Sequence, residues 1–211
     1  MRRDQRDPRR GVPGIALTIV AALAGLVWAS HPTPALTAGP QDAVRQLIAG
    51  VTAVLEDPAL QGPAQKAERQ HRIARVIHDA FDYQDMARHS LGAQWAALTP
   101  AEREEFTRLF ADLFERSYRV LVVRFLGERT TTYVGESSDG QWALVRTRLI
   151  SEKDGEMPVE YRLSTVGGRW TLVDIVVDGV SLAANYRVQF TRIIRTSSYQ
   201  TLLQRMRKRV E

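Results

Sequence analysis

The stretch that decides the fold is residues 169–190, R-W-T-L-V-D-I-V-V-D-G-V-S-L-A-A-N-Y-R-V-Q-F. Its first half is rich in β-branched and aromatic residues, which favour a strand, and both of its alternating sets of side chains are largely apolar. Asp178-Gly179 ends the strand. Ser181 can cap a helix from Leu182 to about Arg195, because its hydroxyl can accept a hydrogen bond from an amide of the first turn. We therefore predict a central strand with both faces covered, followed by a tight turn and a helix.

Upstream of this stretch, the spacing of apolar residues predicts helices first and strands afterwards. Helices are expected over residues 42–56, 64–81, 82–92 and 99–126, and a last helix is expected over residues 198–210. The longest helix begins with a capping box, Thr99-Pro100-Ala101-Glu102, and carries the most aromatic stripe of the chain. Strands are expected over residues 130–135, 141–150 and 158–165. The short turns between them require antiparallel pairing.

The strand pattern also indicates how the sheet is covered. Ala143, Val145, Thr147 and Leu149 alternate with charged residues, and so do Val159, Tyr161 and Leu163. One face of the sheet is thus apolar and the other partly charged, so the helices should cover mainly one face. The predicted fold class is α+β, with about four antiparallel strands and several helices.

The first 29 residues have the pattern of a secretory signal peptide. Residues 1–11 carry five arginines, and residues 15–28 form an uncharged apolar run. Cleavage is expected after Ala29, with Ala38 as a second candidate. An uncleaved anchor is the alternative, because the apolar stretch 12–29 is close to the shortest length that spans a bilayer. We predict a signal peptide at 1–29, a flexible leader at 30–41 and one domain at 42–211.

Composition limits the possible functions of the mature chain. Residues 1–29 carry five arginines and two aspartates, so their removal lowers the formal charge from +5 to +2. That charge gives no strong case for nucleic-acid binding. The chain has no cysteine, which excludes thiol catalysis and cysteine metal sites. An exported protein without disulfides must be stabilised by packing alone.

Catalytic signals are weak. Asp82, Asp85 and His89 are spaced to share one face of a short helix, as in a general-base cluster, but a capping aspartate with surface polar neighbours explains them better. The histidines lack the carboxylate that a metal triad needs. Asp174 lies among apolar residues and needs partners, for which Arg187 and Tyr186 are candidates. We expect a structural role for Asp174, no enzyme activity and no cofactor.

Several motifs, in order, resemble those of one known family. They are Phe81-Asp82-Tyr83, Met86-Ala87-Arg88, Leu91-Gly92, Trp95, Thr99-Pro100, Glu105-Phe106, Phe110, Tyr118, Val159-Glu160-Tyr161-Arg162, Trp170, Asp174, Gly179-Val180-Ser181-Leu182, Asn185-Tyr186-Arg187 and Gln189-Phe190. The chain resembles the toluene-tolerance or MlaC family of periplasmic phospholipid-binding proteins over residues 42–206. It departs from that pattern at His89-Ser90 and in its strongly basic C-terminus.

The resemblance implies a periplasmic lipid carrier. Its partners would be a phospholipid or hopanoid-like lipid, an inner-membrane ABC transporter complex and an outer-membrane lipoprotein complex, in a system that maintains lipid asymmetry of the outer membrane. The tails would occupy an apolar cavity between the long helix and the sheet. The expected lining residues are Phe110, Leu113, Tyr118, Leu121, Val145, Tyr161, Leu163, Val173 and Ile175. The alternatives are an exported cone-shaped α+β enzyme that uses Asp82, Asp85 and His89, and a structural or adaptor protein with a solid core.

Overall fold

The computed structural model describes residues 39–210, except for the side chains of Val120, Leu121, Arg124 and Glu128. The element order is α1 (Pro40–Glu56), α2 (Lys66–Ala80), α3 (Tyr83–Leu91), α4 (Pro100–Glu128), β1 (Thr130–Ser138), β2 (Trp142–Ser151), β3 (Gly155–Val166), β4 (Arg169–Val177), β5 (Val180–Ser181), α5 (Leu182–Thr196) and α6 (Tyr199–Val210). Two short 3₁₀ segments, Pro58–Leu60 and Gly92–Ala97, connect helices. The predicted signal peptide and most of the predicted leader lie outside the described residues. Between residues 39 and 210, no helix is both long enough and apolar enough to cross a bilayer.

The fold is α+β, as predicted, and its sheet has five strands in the described residues rather than about four. The strands follow the order β1-β2-β3-β4-β5, and each neighbouring pair is antiparallel. The additional strand is only two residues long. Val180 and Ser181 fold back after the Asp178-Gly179 turn and pair with Val177 and Val176. So short a strand leaves no pattern of its own in the sequence.

Strand β4 is buried on both faces, as its apolar composition predicted, but it is not central in the sheet. One neighbour is β3, and the other is the two-residue β5, supplemented by a single parallel bridge between Phe81 and Leu172. Helices α1, α3 and α5 all contact β4. The covering helices, not further strands, therefore exclude water from it.

A β-bulge changes the direction of side chains within β4. Arg162 pairs with Asp174 and Leu163 pairs with Leu172, so that Val173 has no partner on β3. The extra residue interrupts the strict alternation that the sequence predicted. Leu172 and Ile175 consequently lie on the same face as their partners Leu163 and Tyr161, while Val173 and Asp174 lie on the opposite face.

The predicted helix caps are confirmed. The Glu102 amide donates to Thr99 Oγ1 at 3.3 Å, and the Thr99 amide donates to Glu102 Oε2 at 2.9 Å. The Ala184 amide donates to Ser181 Oγ at 3.0 Å, which starts α5 directly after β5. Gly92 ends α3 with a φ of +62°, a conformation that glycine adopts without strain.

Helix α4 has two halves with different surroundings. Phe106, Phe110 and Phe114 in the first half are fully buried and contact Tyr186 and Phe190 of α5. The second half, from Tyr118 to Leu126, carries apolar side chains that are only partly buried. Helices α5 and α6 thus fill the space beside the first half, whereas the second half keeps an apolar side that is only partly buried.

Candidate functional site

The candidate functional site is an apolar cavity of about 320 Å³ between the second half of α4 and the apolar face of the sheet. Its apolar wall consists of Leu47, Ile48, Ile77, Phe81, Phe114, Tyr118, Val122, Phe125, Leu126, Leu149, Val159, Tyr161, Ile175, Val177, Val180 and Leu182. The polar side chains at its wall belong to Glu115, Arg119 and Asn185. The volume is near the low end of the roughly 300–1,000 Å³ that small-molecule sites occupy.

The periodicity of helix and strand explains why these residues line one space. Phe114, Tyr118, Val122 and Phe125 are spaced by three or four residues and form one stripe along α4. Residues Phe114 to Leu126 span about 18 Å of helix at 1.5 Å per residue. One leaflet of a bilayer's hydrocarbon core is about 15 Å thick, half of the full 30 Å. The wall is therefore long enough for an extended acyl chain.

The cavity opens to solvent between α4 and the beginning of α5. Val180 and Asn185 are exposed, and both line the cavity, so it reaches the surface where they lie. Arg119 lines the same region from the α4 side. The interior is thus apolar, whereas the opening carries an amide and a guanidinium group.

The hydroxyl groups at the cavity wall remain uncharged. Burial raises the pKa of Tyr118, and the side chain of Asn185 opposes this by hydrogen bonding. Burial also raises the pKa of Tyr161, beside the Thr147 hydroxyl. Both phenols stay protonated at neutral pH, since the ordinary pKa of tyrosine is already about 10. They contribute polar contacts without a charge.

Among the described residues of the cavity wall, Glu115 is the one acidic side chain, and it contacts neighbouring groups. Its Oε1 lies 2.9 Å from Nδ1 of His78. Burial, followed by the charge of Glu115, raises the pKa of Tyr83 beside it. These contacts place Glu115 between α2, α3 and α4 as a packing and hydrogen-bonding group. They do not direct its carboxylate towards a second acid or base inside the cavity.

The residues of the enzyme alternative do not meet in one pocket. Asp82 caps α3 by accepting from the Asp85 amide at 2.9 Å. Asp85 contacts Arg88, and its Oδ2 lies 3.1 Å from His89 Nδ1. Asp82 lines a groove beside Tyr83, whereas His89 lines a different one beside Arg187. No group of residues between 39 and 210 has the arrangement of a metal site.

Asp174 is buried and connects β4 to the start of α5. It accepts from the Ser181 hydroxyl at 2.6 Å and from the Ala183 amide at 3.0 Å, and Arg162 lies 3.4 Å away. The sequence-based expectation that Arg187 and Tyr186 bind Asp174 is therefore wrong. Asp174 does have the structural setting that we predicted. Side chains of the neighbouring strands and an amide at the start of α5 donate hydrogen bonds to its two carboxylate oxygens.

The structure separates the nine predicted lining residues. Tyr118, Tyr161 and Ile175 line the cavity. Phe110, Val145 and Leu163 are fully buried in the core and do not line it, and Leu113 borders a groove beside α6. Val173 lies on the opposite face of the sheet because of the bulge. The side chain of Leu121 lies outside the described part of the chain.

Several cavity residues were missed by the sequence analysis. Val122, Phe125 and Leu126 continue the α4 stripe, and Val159 and Val177 lie two residues from predicted wall positions. Strand periodicity was a usable signal for these two, since residues i and i+2 share a face. Ile77 and Phe81 come from the second helix and its end, and no sequence signal placed that helix at the cavity.

Comparisons with known proteins agree with this architecture. A family model described as MlaC protein matches residues 45–208. The toluene tolerance protein ttg2D of Pseudomonas putida is 24% identical over 119 residues, which span 56% of this chain and 55% of that protein. The structure of a phospholipid-binding protein from Ralstonia solanacearum, solved in complex with a phospholipid, has the same fold with a TM-score of 0.65. It is 22% identical in sequence, and the match covers 81% of this chain and 93% of that one.

Proposed function

Because the chain belongs to the MlaC protein family, we propose that it is a periplasmic lipid carrier. It takes up a phospholipid or a related lipid such as a hopanoid, and carries it between an outer-membrane complex and an inner-membrane ABC transporter complex. The similar Ralstonia solanacearum protein, whose structure contains a phospholipid, supports the class of ligand. The arginine-rich, apolar start of the sequence supports export.

The observation that carries the proposal is the apolar cavity between α4 and the sheet. An acyl chain of about sixteen methylenes gains roughly 13 kcal/mol on leaving water, at about 0.8 kcal/mol for each methylene. Such a chain crosses an aqueous compartment only when a protein shields it. The cavity offers a long apolar wall, and its opening offers Arg119 and Asn185 to a headgroup that remains in water.

Carriage requires no bond to be made or broken, which fits the chemistry of the site. Glu115 contacts His78, and the phenols of Tyr118 and Tyr161 stay protonated. Of the three residues that the enzyme alternative requires, Asp82 lines one groove, His89 lines another and Asp85 lines neither. An adaptor with a solid core is also disfavoured, since a close-packed core leaves few voids larger than a water molecule.

Mass spectrometry of organic extracts from the purified protein tests the proposal. We expect phospholipid or a related lipid at close to one molecule per protein. Protein stripped of lipid should take up labelled lipid from vesicles. Protein that carries no lipid and takes up none would exclude a carrier and favour the adaptor instead.

A further inference from the structure

The charges of this protein are divided unevenly along the chain. Residues 179–210 contain seven arginine and lysine residues and no aspartate or glutamate. Residues 39–178 contain 17 basic and 21 acidic residues, a net charge of −4. Between residues 39 and 210, the excess of positive charge is therefore confined to α5 and α6, the last two helices.

The fold brings the basic end of α6 next to the beginning of α5. Helix α6 runs parallel to α4, because Tyr199 packs on Phe106 and the carbonyl of Val210 accepts from Arg116. Helix α5 runs the other way, with Tyr186 close to Tyr118 and Phe190 close to Phe106. The last turns of α6 consequently lie beside the first turns of α5.

A groove of about 400 Å³ separates these two helices, and its rim is basic. Arg205, Lys208 and Arg209 line it from α6, and Gln189 lines it from α5. Arg192, three residues after Gln189, projects from the same side of α5. All four basic residues are exposed.

The same surface continues to the opening of the cavity. Asn185 at the opening is one helical turn before Gln189 at the groove, so both lie on one side of α5. Arg119 at the opening lies one turn after Arg116, which contacts the end of α6. We call the surface formed by Arg116, Arg119, Arg192, Arg205, Lys208 and Arg209 the basic face.

We propose that the basic face docks on the surface of an anionic lipid bilayer, with the opening of the cavity directed at the membrane. The inference rests on the proposed function, since a carrier must bring its opening to the membrane or complex that supplies the lipid. A bilayer surface with negative headgroups attracts clustered lysine and arginine residues over about one Debye length. Docking would place the apolar wall where an acyl chain can enter without crossing open water.

Two acidic side chains of α4, Glu105 and Glu115, already contact basic groups. Glu105 on α4 pairs with Arg207 of α6. Glu115 contacts His78 on the other side of α4. Of the seven basic residues of α5 and α6, only Arg207 forms a salt bridge within the described part of the chain. The face therefore presents a largely uncompensated positive charge.

Sedimentation with vesicles tests the docking surface. The full sequence is expressed for export, and the soluble form that cells produce is mixed with vesicles of phosphatidylcholine alone or of an equimolar mixture with phosphatidylglycerol. We expect binding to the mixed vesicles at low salt, little binding to neutral ones, and release at about 1 M salt, where the Debye length falls to about 3 Å.

Two triple variants test which positive charges are required for vesicle binding. R205Q/K208Q/R209Q removes three charges from the basic face, and about a hundredfold weaker binding is expected at roughly fivefold per charge. K66Q/R75Q/K153Q removes three exposed charges from α2 and the β2–β3 turn, and should bind almost as the parent does. The melting temperature of each variant shows whether it is folded.

A fluorophore reports the orientation, because the chain has no cysteine to compete for the label. Labels are attached through Gln189→Cys beside the basic face and through Thr132→Cys on β1. Only the fluorescence emission of the first label should shift to the blue on vesicle binding. Equal vesicle binding by the two triple variants, equal binding to neutral vesicles, or equal shifts of the two labels would overturn the docking surface. Extracted lipid is measured on the same samples, so a docking surface that fails while lipid remains bound is distinguished from failure of the carrier itself.

Discussion

Asp174 shows how a single buried carboxylate fixes the relation between two elements. It sits on β4 among apolar residues, yet its oxygens accept from the Ser181 hydroxyl and the Ala183 amide at the beginning of α5. Ser181 in turn caps α5 through the Ala184 amide. The carboxylate thus sets where α5 begins, and with it the position of Asn185 at the opening of the cavity.

Replacing Asp174 by alanine should lower the free energy of unfolding by about 3 kcal/mol, the upper part of the range for hydrogen bonds to a charged group. The buried Ala183 amide loses its acceptor, and Arg162 loses its counter-ion. The change is measured by urea unfolding.

Ser181→Ala is the comparison variant, because it keeps the bond from Ala183 to Asp174 and removes the cap together with the bond from the Ser181 hydroxyl to Asp174. It should cost about 2 kcal/mol, less than Asp174→Ala, since the buried Ala183 amide keeps its acceptor. An Asp174→Ala protein that unfolds at the same urea concentration as the parent would show that the network adds nothing to stability.

Helix α4 shows which part of the site could be predicted from its sequence. Its capping box, its start and its apolar stripe follow from local spacing, and all three were predicted. The stripe does not reveal that α5 and α6 bury Phe110 while Val122 faces a cavity. A cavity wall and a packed core require the same residue types, and only the tertiary packing of other helices distinguishes them.

The sheet also shows which features could be predicted from the sequence and which could not. Strand order and antiparallel pairing followed from the short turns, and the inward residues of β2 and β3 followed from alternation. The bulge at Val173 did not, because an extra residue in an apolar run leaves the composition unchanged. Ile175 was placed correctly beside Tyr161, whereas Val173 was assigned to the wrong face.

Val122→Trp should reduce bound lipid several-fold while leaving the protein folded, since the added indole fills space in the cavity. Val123→Trp is the control, because Val123 follows Val122 on the helix and is also half-buried, but does not line the cavity. Lipid content and melting temperature of the lipid-free protein are measured for both.

A third variant measures how much stability is lost when the same bulk is added to a close-packed core. Val145 is fully buried between β1 and β3, so that Val145→Trp should cost about 1–3 kcal/mol of stability by overpacking. If Val122→Trp instead destabilised the lipid-free protein as much as Val145→Trp and kept its lipid, the tails would lie elsewhere.

On the scale of the whole molecule, the net positive charge of the sequence lies towards its two ends, because residues 39–178 carry more acidic than basic residues. Removal of residues 1–29 lowers the formal charge from +5 to +2. The protein that remains has a basic end on α5 and α6 and a net negative remainder. A modest total charge therefore conceals a strongly polarised surface.

The exported protein should begin at Ser30, because an uncharged apolar run follows an arginine-rich start and ends in Val27-Trp28-Ala29. N-terminal sequencing and the intact mass of protein from the soluble fraction measure this. A chain that begins at Met1 and is recovered with membranes would establish the anchored alternative, and a start at Gly39 would identify the second cleavage site.

The bulge at Val173 has a consequence for how the family can change over evolutionary time. Upstream of it, β4 presents Leu172 to the side of the cavity, and downstream it presents Ile175 to the same side. Of these two residues only Ile175 lines the cavity, so a substitution there alters the wall and leaves the strand in place. Loss of Val173 itself would close the bulge and leave Asp174 and Ile175 on their present faces, because Val173 has no partner on β3. Gain or loss of a residue at a paired position of the strand would instead turn every later side chain over. Substitutions should therefore accumulate along this strand, whereas changes in its length should be confined to the bulge.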